Sequence, residues 1–391
     1  MVINYEFLDR ESIENVITSM HYKIDKTVFF GYEEVIQEKK ESMESFLKKY
    51  CGVLDVSFCA LSRKRIESIL EIMKKNIDKE LTEGNRVYFD ITGGEELILV
   101  AFGMLSKEYN LPVHMYDVSK NELIEFDTDN LGRISDEVER LDITPNLDLL
   151  VELQGCAINY NLLNPYNGLG VSFKDDAEAI YSIAYDYKTD WTIFASFLRK
   201  NMLPNSNLEV CKSVIEVVET LGNHEYAVNS FSQETLENIF TRLSNAGIII
   251  DYSCTATEYF FKYKSKNLAE FVVKEGNALE YHYLQMEKTR HGEALVGVTI
   301  DWDGIIHSDV LADVHNEIDI LSLDGVSLTF ISCKCGRLNG QKVLHTLYEL
   351  DTVARRCGGK YAKKRLIIMH DIKDTYKERA KEMGIEVELI P

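Results

Sequence analysis

Proline and glycine are scarce along this chain, at 5 and 22 of 391 residues. So few breakers leave little room for a long disordered linker. None of the eight cysteines, at 51, 59, 156, 211, 254, 333, 335 and 357, forms a C-x-x-C pair. Several stand in apolar runs such as VSFCAL at 56–61, a pattern that points to buried free thiols instead of zinc or disulfides. The densest apolar run, Leu97 to Leu105, is about half of the roughly 20 residues a membrane-spanning helix needs. The first residues, MVINYEFLDRESIENV, carry acids where a secretory leader carries lysines and an apolar run. A cytoplasmic protein without a membrane partner is therefore expected. Neither a Walker loop nor a G-x-S-x-G elbow occurs, which removes two large enzyme classes. Positive charge is also short, with 43 Lys and Arg against 64 Asp and Glu and a net charge of −21. That sum argues against nucleic acid as a partner of the whole surface.

The distribution of charge qualifies its sum. Residues 122–154 hold ten acids against Arg133 and Arg140, whereas residues 334–367 hold nine basic residues against Glu349 and Asp351. Composition is otherwise that of an ordinary globular protein, 45% hydrophobic and 27% charged, and the length suits two or three domains. Short apolar runs of strand length occur at Val2–Tyr5, Thr27–Phe30, Val56–Leu61, Arg86–Asp90 and Val113–Asp117. Helical patterns separate them at Arg10–Met20, Glu33–Tyr50, Arg63–Ile77 and Glu95–Tyr109. Such alternation predicts an α/β fold with a parallel, Rossmann-like sheet over 1–145, binding ligands at the C-terminal strand ends. The signals blur from 122 to 225, apart from a helical stretch around Asn207–Thr220. SQETLENIFTRLSNAGIII at 232–250 then predicts a helix capped by Ser232, packed through Leu236, Ile239, Phe240 and Leu243 and closed by Gly247. With the β run after it, this suggests a winged-helix-like module inside a connecting segment, 146–262. Residues 263–391 form a second α/β unit, with helices at Asn267–Met286, Asn339–Arg356 and Asp374–Met383 and strands at Leu295–Asp301, Arg365–Met369 and Glu386–Ile390.

Two constellations carry chemistry. Asp90, Thr92, Gly93 and Gly94 run from a buried strand through a Gly-Gly turn into a helix, whose N-terminus offers unpaired N–H groups to an anion. Gly31 and Tyr32, and Ser62 and Arg63, end two other strands, and in a parallel sheet these tips converge on one edge. The other constellation lies around Asp324-Gly325, a strong hairpin signal between alternating runs. With those two residues as the turn, paired positions sum to 649, so Glu317 faces Ser332 and Ile318 faces Ile331. Glu317, Asp319, Ser332 and Lys334 then share one face, and Ile318, Ile320, Thr329, Ile331 and Cys333 pack behind. Asp319 suits a hard divalent cation, Lys334 suits water orientation, proton abstraction or charge neutralisation at a phosphate, and Glu280 could add a carboxylate. A solvated face paired for solubility is the bland alternative. His307 and His315 could lie nearby, and Asp301 with Asp303 reads as a strand-ending turn.

The strand–Asp90-Ile91-Thr92-Gly93-Gly94–helix segment resembles the CARF (CRISPR-associated Rossmann fold) domain. The segment Asn316-Glu317-Ile318-Asp319 with Ile331-Ser332-Cys333-Lys334, and Arg356 to Gly359 downstream, resembles the restriction-endonuclease-like PD-(D/E)xK domain. Together they resemble the cyclic-oligoadenylate-activated ancillary nucleases of type III CRISPR systems, including those that cleave DNA and RNA on binding cyclic tetra-adenylate. The resemblance implies a homodimer that binds one cyclic tetra-adenylate across two CARF domains and needs Mn²⁺ or Mg²⁺. It implies ligand contacts from Asp90, Thr92, Gly93 and Gly94, and a metal site of Glu280, Asp319 and Lys334. Ser332 stands where that pattern usually has an acid, so a metal would lean on Asp319, the Cys333 carbonyl and Glu280 or Glu317. A ligand-sensing transcription regulator, using 232–255, and a ring nuclease that degrades its own ligand are the other readings.

Overall fold

The computed structural model describes residues 1–62, 65–126, 132–227, 231–307 and 315–390. In the N-terminal part, β1 (Val2–Phe7), β2 (Lys26–Gly31), β3 (Asp55–Ala60), β4 (Arg86–Asp90) and β5 (Val113–Asp117) run parallel, and β6 (Glu122–Glu125) adds an antiparallel edge. The order is β3-β2-β1-β4-β5-β6. Both faces are covered, which explains the near-continuous apolar runs. Tyr5, Phe30 and Phe89 pack with Ile69, Met73, Phe102 and Leu105 of two helices, Ile66–Thr82 and Glu96–Tyr109. Phe29, Tyr88 and Tyr116 pack on the other side with Ile17, Met20, Met43 and Phe46. Strand order reverses between β1 and β4, so a crevice opens where their C-terminal ends diverge. The single helix expected over 10–20 is broken into Ser12–Asn15, a 3₁₀ turn, and Ile17–His21. Asn15 causes the break: its side chain accepts from the Asp9 N–H (3.0 Å) and donates to the Asp9 carbonyl (2.8 Å), tying the entry loop down.

The chain next enters a second sheet through β7 (Ala157–Ile158), inside the segment expected to be a connector. It then leaves for a helical region, Val171–Tyr187 and Thr189–Asn201, and a three-stranded sheet of β8 (Glu209–Ser213), β9 (Ile249–Cys254) and β10 (Glu258–Tyr263), in the order β8-β10-β9. The helix expected over 207–220 is corrected: its first half is β8, because Val210 is buried opposite Phe261 of β10. Helix Gln233–Asn245 matches the sequence closely. Ser232 accepts from the Thr235 N–H at 3.1 Å, Leu236, Ile239, Phe240 and Leu243 are buried, and Gly247 takes φ +69°.

The last third completes the second large sheet with β11 (Ala294–Asp301), β12 (His315–Asp324), β13 (Ser327–Lys334), β14 (Lys363–Ile368) and β15 (Ile385–Leu389), in the order β15-β14-β13-β12-β11-β7. β11 to β13 are antiparallel, while β13 to β15 are parallel. Leu328 and Phe330 of β13 and Val353 and Ala354 of helix Gly340–Gly358 belong to the same apolar body as Leu8, Ile13 and Leu47 of the N-terminal part. The helix expected over 267–286 is two, Lys266–Val272 and Asn277–His291, parted at Gly276. No helix among the described residues is long and apolar enough to cross a membrane.

Candidate active site and ligand turn

The hairpin that builds the site is shifted from its expected register. Gly325 and Val326 form the turn, so Asp324 pairs with Ser327 and Ile320 with Ile331, and paired positions sum to 651. Gly325 takes φ +64°, which suits the first position of such a turn. The shift is two residues, one full period of side-chain alternation, so the set sharing a face is unchanged. Asp319 comes opposite Ser332 and organises the end of the ladder. Its Oδ2 accepts from the Ser332 hydroxyl (3.0 Å), the Cys333 N–H (2.6 Å) and Lys334 Nζ (2.9 Å). No hydrogen bond to its other oxygen is found among the described residues. Ile318, Ile320, Thr329, Ile331 and Cys333 are all buried beneath.

Glu280 joins this group from the first turn of helix Asn277–His291. Gly276 makes room for it, since a Cβ there would lie 2.5 Å from Glu280 Oε1. Its carboxylate has no hydrogen-bond donor among the described residues. Burial first, and then the nearby Asp319 charge, push Glu280 up to about 8, against the pull of Lys334. Burial alone would pull Lys334 down, but Asp319 outweighs it and leaves the amine above its ordinary value. Lys334 therefore stays protonated at neutral pH. The Cys333 thiol is held far from ionisation by burial, so any contact it makes with a cation falls to its backbone.

The Glu280 shift has a consequence for stability. A carboxyl that titrates near 8 in the fold and at 4.5 when free binds its proton more tightly folded. Its contribution is fully present below about pH 4.5 and is lost as pH rises through 8. In chelator, thermal midpoints should fall across that window, and Glu280→Gln should flatten the fall. An unchanged profile in the variant would show that Glu280 titrates normally.

The site opens into a cleft of about 590 Å³ whose lining includes Arg199, Lys274, Glu280, Lys334, Arg337 and Lys342. A smaller cavity of about 240 Å³ adjoins it, lined by Glu317, Asp319, Ser332 and Lys334 among others. The locally basic segment thus reaches the site through Arg337 and Lys342. Arg199 and Lys274 were missed; they come from distant segments with no motif to flag them. His307 and His315 are exposed and line neither cavity, and Asp301 and Asp303 accept backbone N–H groups in a turn after β11.

At the N-terminal sheet, β2 and β4 flank β1 in parallel, so the ends of these three strands lie side by side. Asp90 is 1% exposed and faces inward: Oδ1 accepts from the Thr92 N–H (2.8 Å), while Oδ2 takes Thr18 Oγ1 and lies 3.4 Å from His114 Nε2. It shapes the turn from within, with both oxygens engaged by the protein. Thr92 Oγ1 accepts from the Tyr116 N–H at 2.8 Å. Gly94 takes φ +138°, and a Cβ at Gly93 would lie 2.9 Å from Glu14 Oε2. Gly31 is buried against Leu8, and Tyr32 is buried with its hydroxyl on Glu95 (2.5 Å). Ser62 is exposed, and Arg63 lies outside the described residues. A cavity of about 350 Å³ at the switch point is lined by Phe7, Leu8, Asp9, Arg10, Tyr32, Val35 and Glu95. Asp9 and Arg10 were missed, although the rule used for the other strand tips, applied to β1, finds them.

No family model matches the sequence, and no curated protein matches it. Solved structures do share the fold. Protein VC1899 from Vibrio cholerae superposes with a TM-score of 0.68 at 14% identity, over 99% of this chain and 93% of that one. Can2 from Sulfobacillus thermosulfidooxidans, solved in complex with cyclic tetra-adenylate, gives 0.65 at 13% identity, over 99% and 93%. At such identities the likeness establishes a common architecture across the full length.

Proposed function

We propose that this chain is a cyclic tetra-adenylate-activated, metal-dependent nuclease of the CARF-domain CRISPR ancillary class, with a restriction-endonuclease-like PD-(D/E)xK domain in its last third. The observation that carries the reading is the group of Asp319 and Lys334 on the hairpin and Glu280 on helix Asn277–His291, where Glu280 and Lys334 line a cleft rimmed by Arg199, Lys274, Arg337 and Lys342 and Asp319 lines the cavity beside it. The architecture shared with a protein solved around cyclic tetra-adenylate supports the identity of the activator.

The donor set fits a hard cation. Among the described residues one Asp319 oxygen and the whole Glu280 carboxylate have no hydrogen-bond donor, and a divalent ion would relieve the raised Glu280 carboxyl. Among the described residues no three His, Cys, Asp or Glu side chains form a metal cage. Mn²⁺ or Mg²⁺ would therefore be held by Asp319, Glu280, the Cys333 carbonyl and solvent, and would supply Lewis acidity at the scissile phosphate. Ser332 does not replace the missing acid; its hydroxyl steadies Asp319. Lys334, kept protonated, donates to the charge that develops on the phosphate instead of abstracting a proton. The basic rim draws a polyanionic strand into an otherwise acidic protein. Leu97, Val100 and Met104, exposed along the helix that follows the ligand turn, support pairing of two copies beside the activator.

The test is a cleavage assay on labelled DNA and RNA, with and without cyclic tetra-adenylate and Mn²⁺. Products are expected only when both are present. Cleavage indifferent to the nucleotide removes the activator, and linear adenylate products without nucleic-acid cleavage favour a ring nuclease.

A further inference from the structure

Glu14 sits where the ligand turn meets the C-terminal part of the chain. It is 4% exposed, in the 3₁₀ turn after β1. On one side its Oε2 lies beneath Gly93, 2.9 Å from where a Cβ would stand. On the other its Oε1 accepts from Lys360 Nζ at 2.7 Å and from the Tyr361 hydroxyl. Glu11 grips the same loop: its Oε2 accepts from the Lys360 N–H (2.6 Å) and its Oε1 from Gln154 Nε2 (3.1 Å). Residues 359–362 join helix Gly340–Gly358 to β14. That helix lines the candidate cleft through Lys342, His345 and Thr346, and β14 lies beside β13 with Ser332 opposite Leu366 and Lys334 opposite Ile368.

We propose that Glu14 is the coupling residue between the turn and the nuclease site, acting as a clamp that an anionic activator loosens. This rests on the reading of the turn as the activator site. A phosphate seated on the Gly93–Gly94 N–H groups would place negative charge beside a buried carboxylate with little room to retreat. Like charges at such range in a desolvated place repel strongly. Repulsion displaces Glu14 from the turn and shifts the loop that Lys360 and Tyr361 anchor, and with it the helix and strand that frame Asp319 and Lys334. The route is a chain of direct contacts whose geometry the activator and the substrate both bias, which is what thermodynamic coupling requires.

The coupling is measured as the factor by which phosphorothioate single-stranded DNA, in EDTA, changes the affinity for cyclic tetra-adenylate. In the unaltered chain this factor should fall in the range of about 5 to 150. Glu14→Gln keeps size and hydrogen-bonding capacity but removes the charge, and Lys360→Met removes the exposed partner from the other side. Each variant should bring the factor to within about twofold of unity with the affinity for DNA alone unchanged, and Glu14→Gln, freed of the repulsion, should bind cyclic tetra-adenylate alone more tightly than the unaltered chain. Full coupling in both variants overturns the inference and leaves the proposed function standing. An unaltered chain that binds no cyclic tetra-adenylate removes both.

Discussion

Asp319→Ala should cut the nuclease rate by at least about 10²–10³-fold, the loss typical when a preorganised charged partner of the transition state is deleted. Affinity for the activator measured without nucleic acid should not change, because the hydrogen-bond partners of Asp319 are Ser332, Cys333 and Lys334, none of them at the Gly93–Gly94 turn. Three donors, from Ser332, Cys333 and Lys334, converge on one oxygen of this carboxylate. Removing it strips the candidate cation site of its central acid and takes from the partly buried Lys334 ammonium its hydrogen-bonded counter-charge, leaving only the weaker pull of Glu280, so its pKa should fall. Asp319→Asn separates these roles. It preserves shape and can still accept hydrogen bonds, so a matching loss would assign the effect to charge and not to a collapsed hairpin. Lys334→Ala should give a comparable loss with the carboxylates still in place. Steady-state kinetics with saturating cyclic tetra-adenylate and Mn²⁺ checks all three, with melting curves to confirm folding. Undiminished turnover in Asp319→Ala and Lys334→Ala removes this site.

How much of this was legible depends on whether the signal was local. The five N-terminal parallel strands were, because each is an apolar run bounded by turns, and helix Gln233–Asn245 was, because one cap and one stripe specify it. The hairpin was nearly so: the turn was placed one residue early, yet a two-residue shift in pairing returns every side chain to its own face, and Asp319, Ser332 and Lys334 still meet. The helices Val171–Tyr187 and Thr189–Asn201 were missed although Phe173, Ala177, Ile180 and Ala184 mark one face. Tyr181, Tyr185 and Tyr187, partly buried against the same cluster, widen that face and blunt its contrast with the polar side. Orientation at a strand tip was not legible at all. Asp90 was read as facing a ligand, but Thr18, on a helix far away in sequence, and His114 claim it for the interior. The Glu14–Lys360 contact spans 346 positions in the sequence, and no periodicity reports such a pair.

Gly94→Ala should weaken cyclic tetra-adenylate binding by roughly 5- to 150-fold while leaving the hairpin site intact. Gly94 takes φ +138°, where any side chain is strained, and an added Cβ would also lie 3.0 Å from Leu99 Cδ2 and 3.4 Å from Phe7 Cβ. Strain of that kind costs on the order of 1–3 kcal/mol, which converts to the stated range at about 1.4 kcal/mol per tenfold. Without ligand, the exposed end of the turn can relax to avoid the penalty. Binding then demands a return to the original backbone, since the N–H groups that meet a phosphate are those of the turn itself, and the strain reappears as lost affinity. Thr92→Val should act differently. It deletes the acceptor for the Tyr116 N–H and unpins the turn from β5, without imposing a forbidden backbone. Titration calorimetry on both variants, beside the cleavage rate at saturating activator, separates the two effects. Affinity within twofold of the unaltered chain in a folded Gly94→Ala protein would mean that the ligand does not rest on this turn, and the crevice between β1 and β4 would need another occupant.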